Sequence, residues 1–327
     1  MGRAYILGKV FQAFLTLVLV LIFNFFLFRI IPGDPVTLLV RANGAEFTQE
    51  QQQALRHDLG LDKPVFPQQF LEYMRDTARL NLGQSMFVDP GTPVSSVFLH
   101  DLTPTMLLVG TSTIASTLAG IWMGIYGGWR RGGVGDVSFM TSSLVLYAMP
   151  EYVLGILFLL LFAVTLHLFP TGGSRSVTGE FGFVGTITDS LNHLFLPWIT
   201  LTLAYLGEFY LIMRSSLLDV MGEEYITLAR AKGLREKSVL NKHAVRNALL
   251  PTVTLIALSF GFVLGGAITV ETVFSYPGVG GLEFQAIREK DYPVMEGLFL
   301  YFSAAVIFAN LLADLLYGYL DPRVRAA

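Results

Sequence analysis

Apolar residues in this chain fall into long unbroken blocks, not at the spacing of half-buried helices or strands. A hydrocarbon core about 30 Å thick asks for roughly 20 such residues in helix. Six windows meet that length: 10–31, 105–126, 137–169, 194–213, 250–274 and 298–320. The first carries only Gln12, Asn24 and Arg29 as strongly polar residues, and Arg29 sits at an end where it can snorkel. That window lacks the small-residue cleavage site of a secretory signal, so it is read as a retained span. The third is longer than one crossing needs, and Pro150 is expected to break it into two helices.

The segments between the windows divide unevenly by charge. With the N-terminus inside, the inner segments hold thirteen Lys and Arg against six acids, and the outer ones eight against fifteen. Short loops rich in Lys and Arg mark the cytoplasmic side, which predicts both termini inside. The chain's formal charge of −3 therefore conceals an orientation, and it supplies no bulk basic field for nucleic acid. Only 14% of residues are charged and 53% are apolar, which argues against a disordered chain or an ordinary soluble enzyme. There is no cysteine, so disulfides, thiolate metal sites and cysteine nucleophiles are absent.

Several segments carry more specific signals. In the second window Ser112, Ser116, Gly120, Gly124 and Gly128 recur every four residues, a stripe that lets a neighbouring backbone approach; Gly261 and Gly265 repeat the pattern in the fifth. Packing within the chain is the favoured reading, with a subunit interface or a mobile translocation surface as the other. Residues 48–59 and 67–80 read as short amphipathic helices, the first with Thr48 as N-cap and Gln51 three residues on. The proline and glycine at Pro32, Gly33 and Pro35 end the first span sharply. Tyr276, Pro277, Gly278, Gly280 and Gly281 form a tight, re-entrant turn.

The inner loop 214–249 is too long for a simple connector and is helical in composition. Glu223 and Glu224 open a helix where its dipole favours acids, Arg230 and Lys232 come near its end, and Gly233 fits a left-handed stop. A second basic helix, 236–247, leads to Leu250 and Pro251. On composition alone this loop is either a docking surface or a basic element held by anionic lipid.

Resident chemistry is missing. No G-x-x-x-x-G-K-[ST] phosphate loop, no H-E-x-x-H and no G-x-S-x-G occurs, and His57, His100, His167, His193 and His243 are scattered. Four acids lie in or beside the windows: Glu151, Glu208, Glu271 and Asp314. A carboxylate in lipid is costly, so each lines a pathway, is paired, or lies at headgroup level. Glu208 is the most central, with Tyr205 and Tyr210 nearby. Glu271, near Phe274 at the outer end of the fifth window, either meets a substrate amino group or a partner, or hydrogen-bonds the glycine-rich turn.

The stretch EYITLARAKGLREKSVLNKHAVRNALLP, 224–251, resembles the cytoplasmic loop of ABC importer permeases, whose alanine-rich helix, glycine and downstream Leu-Pro dock on an ATPase subunit. The general pattern has an acid and two alanines six, five and four residues before the glycine. Here Thr227, Leu228 and Ala229 stand there, and only the last matches; the ARAKG wording is that of the peptide and nickel branch. IIPGDPV at 30–36, LGLDKP at 59–64, LNLGQS at 80–85, VETVFSYPGVGGL at 270–282, KDYP at 290–293 and LDPRVR at 320–325 each resemble the B-type subunit of dipeptide, oligopeptide and nickel importers, in order and spacing.

The resemblance implies an all-α integral membrane protein with the six-helix fold of type I ABC importer permeases. Its parts are a cytoplasmic N-terminus 1–9, a first span 10–31, a folded extracytoplasmic loop 32–104, a core 105–320 containing the coupling loop 214–249 and an outer loop 275–297, and a cytoplasmic tail 321–327. It implies a non-catalytic permease subunit importing short peptides, with nickel, glutathione or oligosaccharide as alternative cargo. The other-class readings, a secondary transporter or an intramembrane enzyme, find no charge relay or catalytic motif. The implied partners are a second, homologous permease, two ABC ATPases, alike or paired, an extracytoplasmic binding protein and the bilayer, without nucleic acid. ATP and Mg would bind the ATPases, with no cofactor or metal on this chain, in a prokaryotic plasma membrane. The residues assigned to ATPase coupling are Glu223, Glu224, Tyr225, Leu228, Ala229, Arg230, Lys232 and Gly233. Translocation-pathway candidates are Glu208, Tyr210, Glu271 and Phe274; docking candidates for the binding protein are Asp34, Asp62, Lys63, Tyr276 and Asp291.

Overall fold

The computed structural model describes residues 3–30, 36, 48–58, 62–176 and 182–320. Among these the chain is built of helices, with one isolated antiparallel bridge between Gln84 and Pro93. Asp34, most of the IIPGDPV turn and the LDPRVR tail beyond Leu320 lie outside the described residues.

Helix α1 (Arg3–Ile30) covers the first window. Two short helices follow, α2 (Gln49–Asp58) and α3 (Phe70–Ala78). The expected cap of α2 is present in both directions: the Gln51 amide donates to Thr48 Oγ1 (3.3 Å), and the Thr48 amide donates to Gln51 Oε1 (2.9 Å). The second window belongs to a longer helix than its apolar run suggests. Helix α4 (Val94–Thr105) passes through a wide turn, Met106–Gly110, into α5 (Thr111–Trp129), with Pro104 just before the turn. Proline lacks the donor a regular helix needs, and a widened turn is one way the ladder absorbs that loss.

Helices α6 (Val134–Ala148) and α7 (Glu151–Phe158), the latter prolonged to Thr165, meet at a bend of 100°. The break falls at Pro150 as expected: Met149 before it is extended (φ −88°, ψ 123°), the conformation that proline imposes on its predecessor. Helix α8 (Phe183–Met221) has 39 residues, roughly 58 Å at 1.5 Å per residue, and so extends well beyond the fourth window at both ends.

The glycine stripe of α5 is a packing surface within the chain. A Cβ added at Gly120 would lie 2.5 Å from Cβ of Phe209, and one at Gly124 would lie 2.7 Å from Cβ of Met213; Gly128 faces Leu217. Helix α8 is thus seated directly on the α5 backbone, the close approach that small residues allow between helices in lipid.

After α8 come α9 (Glu224–Ala231), a single turn Glu236–Ser238, a wide turn Val239–Ala244 and α10 (Val245–Gly265). The expected second basic helix is therefore not separate: the chain runs on from Glu236 through Pro251 into the fifth window. That window is itself broken. Gly266 adopts φ +76°, which favours glycine, and a short helix α11 (Ile268–Val273) follows. A turn then leads to α12 (Val279–Glu289) and α13 (Tyr292–Leu320).

Four helical segments among the described residues are long and apolar enough to cross a membrane: Tyr5–Phe28, Val94–Trp129, Phe183–Met221 and Tyr292–Leu315. The bent α6–α7 pair makes a fifth if it counts as one span. The molecule is an all-helical, multi-pass membrane protein.

Candidate functional site

Helix α9 stands on its own chain with one face and offers the other. Ile226 and Ala229, three residues apart, are buried in a cluster with Met213 and Leu217 of α8 and with Val239, Ala244 and Ala248. Tyr225 and Leu228 point outward, Leu228 with 55% of its surface exposed, and Lys232 continues that exposed stripe at the spacing of one helix face. Two of the residues assigned to ATPase coupling also make contacts within the chain. Ala229 is spent on the intrachain cluster, because the helix must bury an apolar face to hold its place. Arg230 folds back, its guanidinium 5.8 Å from the Trp129 ring centroid and 3.3 Å from Glu236 Oε1. Tyr225 Oη accepts a hydrogen bond from Asn247 Nδ2 (2.8 Å), tying α9 to the start of α10. Glu223 is the N-cap residue, and Gly233 ends the helix at φ +72°, where the Gly233 amide donates to Arg230 O and the Leu234 amide to Ala229 O. The acids at the start and the glycine stop match the sequence reading.

Beside this cluster lies a feature that sequence alone did not reveal. Asp136, at the start of α6, is buried and accepts two bonds from the Arg214 guanidinium, Nε to Oδ1 at 2.6 Å and Nη2 to Oδ2 at 2.8 Å. The Gly132 amide (2.9 Å) and the Tyr210 hydroxyl (3.3 Å) complete the set. Tyr210 is fully buried in this arrangement and clasps the turn between α5 and α6 to α8. In sequence Asp136 and Arg214 read only as charges flanking loops, and their pairing across 78 residues leaves no local signal.

The membrane carboxylates part ways. Glu208 is half-buried on α8. Glu151 accepts a hydrogen bond from Thr269 Oγ1, and Asp314 pairs with Lys9 Nζ at 3.0 Å. Glu271 is 1% exposed and holds the glycine-rich turn: Oε1 accepts from Thr105 Oγ1 (2.9 Å) and the Ala267 amide (3.3 Å), and Oε2 from the Gly281 amide (2.8 Å). Thr105 Oγ1 in turn accepts from the Val279 amide (2.8 Å). Of the two readings open for Glu271, the hydrogen-bonding one describes its place, and a Cβ at Gly278 would collide with this carboxylate. Phe274 and Tyr276 are buried in the adjoining apolar cluster with Leu108, Leu201 and Val270, which makes both of them framework within this chain.

Just before α13, Asp291 is also fully buried. Its Oδ2 accepts from Ser85 Oγ (2.6 Å) and from the amides of Met86 (3.0 Å), Phe87 (2.8 Å) and Val88 (3.0 Å). Buried and engaged by four donors, this carboxylate ties the LNLGQS loop to the start of α13. Around it Val94, Val279, Leu282, Ala286, Val294 and Leu298 form a separate apolar core, so this loop and α12 make one folded shelf. Asp62 and Lys63 remain at the surface: Lys63 Nζ pairs with Glu72 (2.7 Å), and the His57 ring 2.7 Å from Asp62 holds its carboxyl below the usual carboxylate range.

Residues 116–326 match the family described as binding-protein-dependent transport system inner membrane component, and residues 2–88 match the N-terminal membrane component of the same systems. The chain is 34% identical over 321 residues to a probable peptide ABC transporter permease protein of Sinorhizobium fredii, covering 98% of this chain and 99% of that one. It is 36% identical over 336 residues to the dipeptide transport system permease protein DppB of Escherichia coli (98% and 97% covered). With the oligopeptide transport system permease protein AppB of Bacillus subtilis it shares 33% over 321 residues (98% and 99% covered).

Proposed function

Since the chain belongs to the binding-protein-dependent transport system inner membrane component family, we infer that it is a permease subunit of an ATP-driven peptide importer. The observation that carries this is similarity along nearly the whole chain to permeases named for peptide, dipeptide and oligopeptide transport. The chain lacks a phosphate-binding loop, so hydrolysis belongs to separate ATPase subunits.

Helix α10 with α11 adds a sixth crossing to the five segments above, both termini face the cytoplasm, and the shelf around Asp291 receives the binding protein on the outside. A second permease completes the pathway, with Glu208 facing it. The outward stripe Tyr225, Leu228 and Lys232 enters a groove on an ATPase. When the ATPases close, α9 moves as a rigid lever, because Ile226 and Ala229 are packed into α8 and α10. Arg230 on Trp129 carries the same displacement to the end of α5, and the Asp136–Arg214 clasp passes it to α6. Rigid elements joined by packed side chains and ion pairs can transmit such a shift over this distance.

The test is uptake by proteoliposomes holding the assembled transporter with its binding protein. ATP-dependent accumulation of labelled di- and tripeptides is expected. Accumulation of nickel, glutathione or oligosaccharide with none of peptide would overturn the cargo assignment, and uptake independent of ATP would overturn the class.

A further inference from the structure

A cavity of about 470 Å³ opens between α1, α10 and α13, away from the coupling helix and the shelf. Its rim is the Lys9–Asp314 ion pair, 3.0 Å apart, with the Tyr5 hydroxyl donating to the Asp314 backbone oxygen (3.3 Å). Both ionised groups keep part of their surface open, 28% for Lys9 and 46% for Asp314. One turn deeper are the carboxamides of Gln12 and Asn310; at 1.5 Å per residue they lie roughly 5–6 Å below the rim. Both residues are exposed, and neither side chain has a hydrogen-bond partner among the described residues. At the floor are Ile307, roughly 10 Å below Asp314, and Leu258 of α10. The surrounding face of α1 is apolar and exposed, with Leu7, Phe11, Phe14 and Leu15.

This order of chemistry has one natural complement. Exposed carboxamides at membrane depth are costly unless something bonds them. A rim carrying one cation and one anion matches a headgroup with a phosphate and an ammonium. Amide donors one turn down match ester carbonyls, and an apolar floor matches acyl chain. We propose that this cavity binds one zwitterionic aminophospholipid, its phosphate on Lys9, its ammonium on Asp314, its ester oxygens on Gln12 and Asn310 and its chain against Leu258 and Ile307. The lipid wedges α1 against α13 in the leaflet where α1 begins.

The assembled transporter, purified in detergent and exchanged into equal phosphatidylethanolamine and phosphatidylglycerol, tests this by native mass spectrometry of retained lipid. The intact complex retains phosphatidylethanolamine at least tenfold over phosphatidylglycerol. The double variant Gln12→Leu, Asn310→Leu and the cavity-filling Ala13→Phe each lose at least tenfold of that retention. Equal retention of the two lipids, or unchanged retention in both variants, overturns the proposal. A photo-reactive phenylalanine in place of the exposed Phe11, which lies beside the cavity without lining it, decides the matter even where a variant fails to assemble. Adducts with phosphatidylethanolamine support the site, and adducts confined to the second permease overturn it.

Discussion

Replacing Asp291 with alanine removes the oxygen on which the folded shelf around it is assembled. Four donors converge on Oδ2: one hydroxyl, Ser85, and three successive amides, Met86, Phe87 and Val88. The hydroxyl can turn elsewhere, but the amides cannot. Each orphaned buried donor costs about 1–3 kcal/mol, and because these three residues are half-buried the low end applies, or about 3 kcal/mol in total. That is roughly a hundredfold rise in the population of the opened loop. Asp291→Asn keeps a carbonyl acceptor while losing the charge, so its effect is smaller. The assay is amide hydrogen exchange on the assembled transporter, read at peptides covering 84–93. Met86, Phe87 and Val88 exchange about a hundredfold faster in Asp291→Ala than in the unaltered chain, with helix α5 unaffected. Unchanged exchange at these three amides refutes the assignment of Asp291 as the shelf's internal tie, and a loss of binding-protein affinity without faster exchange would restore it as a contact residue.

Gly233→Val forces a β-branched residue to φ +72°, at a cost of about 1–2 kcal/mol, and lowers peptide-stimulated ATP hydrolysis; Gly233→Asn, which tolerates that conformation, retains most of it. Gly120→Ala places a methyl against Phe209 Cβ and costs about 1–3 kcal/mol of overpacking, seen as a lower melting temperature of the purified complex. Glu208→Gln alters peptide transport while leaving assembly intact; full transport of every peptide tried would show its charge to be irrelevant.

Much of the architecture is legible in the residues because the bilayer imposes length and apolarity on a local stretch of chain. The break at Pro150, the reciprocal cap of Thr48 and Gln51 and the left-handed stop at Gly233 are likewise local, each set by the preference of one or two residues. What failed to show is tertiary. Asp136 and Arg214 are indistinguishable in sequence from solvated loop charges, and their pairing depends on how α5, α6 and α8 pack. The same holds for Ala229: helical spacing gives two faces to α9 but does not say which meets its own chain, and the burial of Ile226 settles it. Asp291 and Glu271 look like exposed or pathway carboxylates until the amides that surround them are known. Gly266 ends the fifth window early because its backbone conformation, not its hydropathy, decides the break.

In the proposed assembly α9 meets an ATPase through the stripe Tyr225, Leu228 and Lys232, and its own chain through the adjoining face of Ile226 and Ala229. Because the chain contains no cysteine, single thiols introduced at Leu228 and Ala229 report each face separately. With a short thiol cross-linker on the assembled transporter, Leu228→Cys joins an ATPase subunit in an ATP-dependent manner, and Ala229→Cys does not. Labelling of Leu228→Cys in intact cells by a membrane-impermeant reagent, or cross-links from Ala229→Cys alone, would contradict it.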